Sequence, residues 1–268
     1  MDQFYTIPEV ADECLVDIIE HLNFDEYDII LEPSAGTGSF YNKLPEDKRQ
    51  GIDLEPKCEG VVQLDFFKFE ADVTKKYCVV GNPPFGRVSS TAVKFFNHAA
   101  EFADAIAFVI PKTFKRVSVQ NRLNLNFHLI YNKDLPLKPC CFNPVMSAKC
   151  CLQIWKRREE KRDKILLPIV HEDFEFIAWG ELDTNGQPTP PDGADFVMKA
   201  VGGNCGEVKT TGLSELRPKS WHWIKSNIDT DELIRRMKSL NYEISRDTVR
   251  QDSIGRAEII QLYSQNFN

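Results

Sequence analysis

The residues with most chemistry to offer stand in one pentapeptide, Gly81-Asn82-Pro83-Pro84-Phe85, at the end of the apolar run Tyr77–Gly81. Two consecutive prolines fix φ and remove backbone donors, so the loop presents carbonyl oxygens. The Asn82 side-chain oxygen and the Pro83 carbonyl can both accept hydrogen bonds. Phe85 supplies a flat stacking face. Two acceptors beside an aromatic ring suit a planar amine, such as the exocyclic amine of a nucleobase. The same residues would equally make a rigid proline turn with a buried ring.

Upstream, Glu32-Pro33-Ser34-Ala35-Gly36-Thr37-Gly38 follows the apolar run Asp28–Glu32. A glycine-rich turn after a first strand lets a ligand approach the backbone with no Cβ in the way. Such turns also serve dinucleotides and phosphates, but the G-x-G-x-x-G fingerprint and the Gly-Lys-Ser/Thr ending are both absent. An acid at the head of the turn repels phosphate and suits a cation. S-adenosylmethionine (SAM), with its ammonium and sulfonium, is such a ligand. Asp53, in Gly51-Ile52-Asp53-Leu54, ends the next run, placed to accept from both ribose hydroxyls. Leu54 beside it can pack on an adenine face. Asp65 ends the run after that and can accept from an adenine amine, and Phe66 beside it is a further expected cofactor contact. Either acid alone would also serve as a solvated strand end.

These groups need a frame. Five short apolar runs, Asp28–Glu32, Gly51–Leu54, Val61–Asp65, Tyr77–Gly81 and Ile106–Ile110, are followed by two more at Phe127–Asn132 and Lys149–Lys156. Val10, Ala11, Cys14, Leu15, Ile18, Ile19 and Leu22 have helical spacing over 8–22. Thr6 and Glu9 predict a capping box there, with Pro8 in the first turn. A second helix is expected over Thr91–Ala103. Short apolar strands separated by helices predict an α/β, doubly wound, mostly parallel seven-stranded sheet. A charged run, Lys156–Lys164, follows and reads as a solvated connector. Beyond it, strands are expected at Ile165–Val170, Phe174–Trp179 and Asp195–Val201, and helices at Thr230–Leu240 and Ile254–Ser264. The domain expectation is therefore 1–156, a connector at 157–164, and a smaller α+β extension at 165–268.

Residues 4–156 resemble the class I SAM-dependent methyltransferases, a Rossmann-like family. The resemblance is to the amino-methylating branch marked by Asn-Pro-Pro-Phe/Tyr. The motif order, glycine turn first and catalytic loop later, resembles the gamma group of adenine-N6 enzymes. The resemblance implies a catalytic role for Asn82, Pro83, Pro84 and Phe85. It implies SAM contacts for Glu32, Ala35, Gly36 and Gly38, with Asp53 at the ribose and Asp65 at the adenine. Phe4-Tyr5-Thr6-Ile7-Pro8 resembles the group's N-terminal motif, which puts Tyr5 and Thr6 at the methionine end. Ala107–Lys112 resembles the strand-and-proline motif that follows. The implied reaction is methylation of adenine N6 in nucleic acid, DNA ahead of RNA. Methylation of a protein glutamine amide and a non-catalytic SAM- or nucleic-acid-binding module are the alternatives. The extension matches no pattern we can name and is a candidate target-recognition region.

Composition bounds the partners. The chain has 268 residues, 42% hydrophobic and 27% charged, with a net charge of −7. That is an ordinary globular composition. No apolar run reaches the roughly 18 residues of a membrane span. Met1-Asp2-Gln3 carries no basic region of a secretory signal, so an intracellular site, cytoplasmic or nuclear, is expected. Residues 1–42 hold ten carboxylates and no Lys or Arg. The segment 105–130 holds Lys112, Lys115, Arg116 and Arg122 and no acid. These four are the expected phosphate contacts, with marked salt sensitivity. Trp221 and Trp223, among basic residues of the extension, are candidates for base stacking. The eight cysteines include no C-x-x-C pair, and the five histidines show no ligand spacing. Reduced thiols and no catalytic metal are expected. The residues do not fix an oligomeric state.

Overall fold

The computed structural model describes residues 4–267; Met1-Asp2-Gln3 and Asn268 lie outside them. The chain divides into two compact units between Lys164 and Ile165.

The first unit is built on seven strands: β1 (Ile29–Glu32), β2 (Arg49–Asp53), β3 (Val61–Gln63), β4 (Tyr77–Gly81), β5 (Ala105–Pro111), β6 (Phe127–Asp134) and β7 (Cys150–Arg157). Their order is β3-β2-β1-β4-β5-β7-β6. β1 to β5 pair in parallel. β7 runs antiparallel between β5 and β6. Every residue of β4 and β5 is buried, as expected of strands covered on both faces. This is a doubly wound, mostly parallel Rossmann-like sheet. Its order reverses between β1 and β4, and in such sheets the crevice outside the carboxyl ends of the strands at that point is where ligands bind. The glycine turn leaves β1 at that crevice, and the Asn82 loop leaves β4.

Helix α1 (Pro8–His21) buries Val10, Ala11, Cys14, Leu15 and Ile18. Its N-cap is Ile7, which makes no side-chain cap, so the expected box between Thr6 and Glu9 does not form. Thr6 lies one residue too early, in a two-residue strand with Tyr5 that pairs antiparallel with Phe142–Asn143. Asp17 ties α1 to β6, accepting from Tyr131 Oη at 2.9 Å and Lys133 Nζ at 2.7 Å. Helix α2 (Ser90–Phe102) buries Ala92, Val93, Phe95, Phe96, Ala99 and Ala100. The Phe96 ring meets Trp155 of β7 edge-on at 5.4 Å. A short helix, α3 (Val117–Gln120), follows β5.

The charged run is bound to this unit. Arg157 donates to the carbonyls of Ala103 (2.8 Å) and Ala100 (2.6 Å) at the end of α2, where a cation also meets the negative helix terminus. Arg162 Nε donates to Phe127 O at 3.0 Å, and the Arg162 N–H to Leu125 O at 2.9 Å. Alternating charge reads as a solvated run in one dimension; in three, its arginines cap exposed carbonyls.

The second unit holds β8 (Phe174–Ile177), β9 (Phe196–Lys199), β10 (Val208–Lys209) and β11 (Trp221–Ser226), all antiparallel in the order β8-β11-β9-β10. Helices α4 (Thr230–Ser239) and α5 (Arg256–Phe267) complete it. Phe174, Met198, Ile224, Leu233, Met237, Ile260 and Tyr263 share one core. The Asp229 carboxylate caps α4, accepting from Glu232 N at 2.8 Å. Two expectations fail here. Ile165–Val170 forms no strand; Leu166 is 88% and Ile169 81% exposed, and Pro168 interrupts the run. Trp221 and Trp223 are buried on the central strand β11 with Val197, so neither ring is open to stack on a base. Among the described residues, no helix is long and apolar enough to cross a membrane.

Candidate functional site

The glycine turn owes its shape to its contacts. Gly36 has φ +50° and Gly38 φ +81°. A Cβ on Gly36 would lie 2.5 Å from the Tyr5 ring, so the position demands glycine on both counts. The Gly36 N–H donates to Asp53 Oδ2 at 2.8 Å, and the Glu55 N–H to Oδ1 at 2.8 Å. Ala35 N donates to Ile52 O at 3.0 Å. Asp53 thus braces the turn while each oxygen keeps a further lone pair for a hydroxyl.

Glu32 departs from the open acid expected at the head of the turn. It is 2% exposed and accepts from Tyr41 N at 2.7 Å through Oε2. Burial pushes its carboxyl well above the ordinary range, against the pull of the Tyr41 N–H. A Cβ on Gly81, whose φ is +145°, would come within 3.0 Å of Glu32 Cγ. Glu32 therefore lies under the crevice, between β1 and β4.

At the β2–β3 side, Leu54 is 59% exposed and open to a flat ring. Asp65 caps the short turn after β3, accepting from Phe67 N at 3.1 Å. Phe66 is a correction. It is 2% exposed, its ring 5.0 Å from Phe95 and 4.7 Å from His98. An apolar ring facing α2 gains more from that cluster than from the rim, so it has no face for a cofactor.

The Asn82 loop is held from several directions. Asn82 Nδ2 donates to the Phe4 carbonyl at 3.1 Å, and Ser34 Oγ donates to Asn82 O at 3.1 Å. Reversing the amide would set oxygen against oxygen at Phe4, so this bond fixes its orientation. Asn82 Oδ1 is then left buried with no partner, as is Thr6 Oγ1. An unsatisfied buried acceptor costs about 1–3 kcal/mol, so each such group calls for an explanation, a bonding partner supplied by a ligand among them. Phe85 meets Phe142 edge-on at 6.2 Å, and its carbonyl accepts from Thr91 N and Ala92 N at 3.2 and 3.3 Å. Just past it, Val88 and Ser89 have φ of +52° and +58°, a strained turn for non-glycine residues.

A cavity of about 420 Å³ adjoins the turn, with Tyr5, Thr6, Gly38, Asn42 and Asn143 in its wall. Asp53, Asp65 and Asn82 lie outside that wall. Tyr5, Thr6, Gly36, Gly38, Asp53 and Asn82 are linked through this network; Ala35, Pro83 and Pro84 follow by backbone continuity.

The basic segment is less free than its sequence. Lys112 and Lys115 both bond Asp134, at 2.7 and 3.2 Å. Burial raises the Asp134 carboxyl, but the bonds from the two lysines outweigh it and hold it below its ordinary range. Asp134 stands past the end of the acid-free segment, on the strand that tertiary pairing brings near. The Arg116 carbonyl opens α3, accepting from Val119 and Gln120. The Arg122 carbonyl accepts from Asn97 Nδ2 at 2.9 Å.

All eight cysteines are free thiols. Among the described residues, no group of three or more His, Cys, Asp or Glu is placed to hold a metal ion. Sequence reasoning missed Lys57 and Phe142, and it placed Phe4 in the N-terminal motif without giving it a role.

No family model matches the chain, and no curated protein does. Among solved structures it is similar to PH1948, a candidate RNA methyltransferase from Pyrococcus horikoshii. Identity is 16%, over 58% of this chain and 87% of that one, with a TM-score of 0.43. It is similar also to the 23S rRNA methyltransferase ErmE (18%, 50% and 63%, 0.36). A third is magnesium protoporphyrin IX methyltransferase (ChlM) from Synechocystis PCC 6803 with bound SAM (9%, 56% and 79%, 0.40). The strand order and pairing define the fold: the first unit is a Rossmann-like, mostly parallel seven-stranded sheet with one antiparallel strand.

Proposed function

We propose that the chain is a SAM-dependent methyltransferase that methylates the exocyclic N6 amine of adenine in nucleic acid. The observation that carries this reading is Asn82 Oδ1, a buried acceptor with no partner, oriented by the bond of its amide to the Phe4 carbonyl, on the loop that also carries Pro83 and Phe85. The two glycine positions, the Asp53 brace, the cavity and the orphan Thr6 hydroxyl fit SAM. Bound SAM supplies a methyl group made electrophilic by its sulfonium.

An adenine amine is a weak nucleophile because its lone pair is delocalised into the ring. Asn82 Oδ1 and the Pro83 carbonyl accept its two hydrogens and favour a pyramidal nitrogen. Phe85 stacks on the base and holds that nitrogen in line for attack, which is where most of the rate gain arises. The acceptors stabilise the positive charge that develops on nitrogen. A new N–C bond forms as the C–S bond breaks, and the amine proton leaves to water afterwards. In a duplex the base must first leave the stack, at about a few kcal/mol. DNA ranks ahead of RNA on the resemblance of the Glu32–Gly38 turn.

The test is Asn82→Ala with labelled SAM and separate DNA, RNA and protein pools. The wild type is expected to label adenine, and the variant to lose about a hundredfold, the scale of one lost transition-state contact, with SAM binding kept. Unchanged turnover in the variant sinks the role of Asn82. Label confined to protein sinks the substrate.

A further inference from the structure

The N-terminal segment 4–7 spans both halves of the site. Tyr5 covers Gly36, which has no room for a Cβ beneath the ring. Tyr5 and Thr6 pair with Asn143 and Phe142, and Ile7 N donates to Cys141 O at 3.0 Å. One residue earlier, the Phe4 carbonyl orients the Asn82 amide. A short strap thus touches the glycine turn at one residue and the catalytic loop at its neighbour.

Strand pairing of two residues is too short to hold such a strap alone. A further tie comes from Lys57. Its Nζ donates to the Tyr5 hydroxyl at 2.7 Å and lies 5.0 Å from the centre of the Tyr5 ring. Its own backbone N–H donates to Gly36 O at 3.0 Å. The lysine is therefore anchored on the turn that Tyr5 covers, and its side chain closes over the strap from outside.

We propose that Lys57 is a positioning residue that latches the strap through Tyr5, so that the strap sets the Asn82 amide for methyl transfer. The role in transfer rests on the function proposed above; the latch itself does not. Lys57 is exposed, so removing its amine opens no cavity and leaves the core intact.

The experiment compares Lys57→Met, Lys57→Arg, Tyr5→Phe and the Lys57→Met/Tyr5→Phe pair. Tyr5→Phe keeps the ring on Gly36 and removes only the hydroxyl. The first readout is hydrogen exchange of the Ile7 amide in the ligand-free protein. Lys57→Met and Tyr5→Phe are each expected to speed it about fivefold, the scale of one modest hydrogen bond. The pair should add nothing further, because both changes break the same contact. Lys57→Arg should restore protection. The second readout is kinetic: kcat falls by a similar factor in Lys57→Met, with KM for nucleic acid unchanged. Unaltered exchange in Lys57→Met, or additive losses in the pair, overturns the latch. Altered exchange with kcat intact overturns its role in transfer. Altered exchange in a protein that binds no SAM leaves the latch standing and sinks the proposed function instead.

Discussion

Glu32 shows how burial changes a residue's meaning. On paper it is an acid at the mouth of a ligand turn; folded, it is a buried carboxyl that accepts from Tyr41 N and packs against Gly81. Its folded pKa lies well above the ordinary 4.5, so the folded state keeps a proton that the unfolded chain gives up. Stability from this group is full below about 4.5 and falls as pH rises toward the folded value, because there the native state binds more protons. Glu32→Gln is therefore expected to flatten that part of the stability profile. Urea titrations from pH 4 to 8 measure it, and the gap between variant and wild type should move in the variant's favour as pH rises. A constant gap would mean that Glu32 ionises normally in the fold. Asn82 is the complementary case: the sequence pattern marks it as an acceptor, and the fold leaves its buried Oδ1 without a partner.

At the scale of elements, the strand that sequence reasoning did not find is β11. Trp221-His222-Trp223 sits among basic residues, and aromatic–basic interleaving resembles a base-stacking surface. In the structure these residues form the strand between β8 and β9, and Trp223 is 1% exposed. Lys199 and Lys209 lie over the Trp221 ring at 5.7 and 5.2 Å, so those cations serve the fold. Trp223→Ala is expected to cost about 3–5 kcal/mol, the range for emptying an aromatic core position. A fall in the urea midpoint of the second unit, followed by circular dichroism, measures it. A loss below about 1 kcal/mol would contradict a core strand. The opposite lesson comes from Ile165–Val170, an apolar run with good β propensity that forms no strand. Propensity describes a fit to a half-buried pleated surface, and this segment has none to fit.

Over the whole molecule, charge decides the expected partner behaviour. A net charge of −7 constrains average repulsion and leaves the sign of one face open. The segment 105–130 is basic, but Lys112 and Lys115 share Asp134, and that group carries one net positive charge. Arg116 and Arg122 complete the basic rim. The shared Asp134 therefore makes the expected salt dependence milder than four free cations would give. For duplex DNA the slope of log K against log salt is expected near −2 to −3, about 0.9 per neutralised phosphate. Oligonucleotide binding across a salt series checks this. A slope steeper than about −5 would mean that basic residues outside this rim contact phosphate.

The sequence by itself determined the seven strands of the first unit's main sheet and which residues stand at their ends. Apolar runs at regular intervals, Gly36 and Gly38 after the first of them, Asp53 after the second and Asn82-Pro83-Pro84-Phe85 after the fourth are local patterns, legible without neighbours. The same patterns gave the helices over 8–22 and 91–103 to within a residue or two. Tertiary structure alone decided what depends on contacts distant in the chain. It reversed β7 between β5 and β6, buried Glu32 and Phe66, paired two lysines with Asp134 and turned two tryptophans into core. It also brought Phe4 to Asn82 across 78 residues of chain. A hydrogen bond or a burial is a property of two places at once, and the linear order of residues records only one of them.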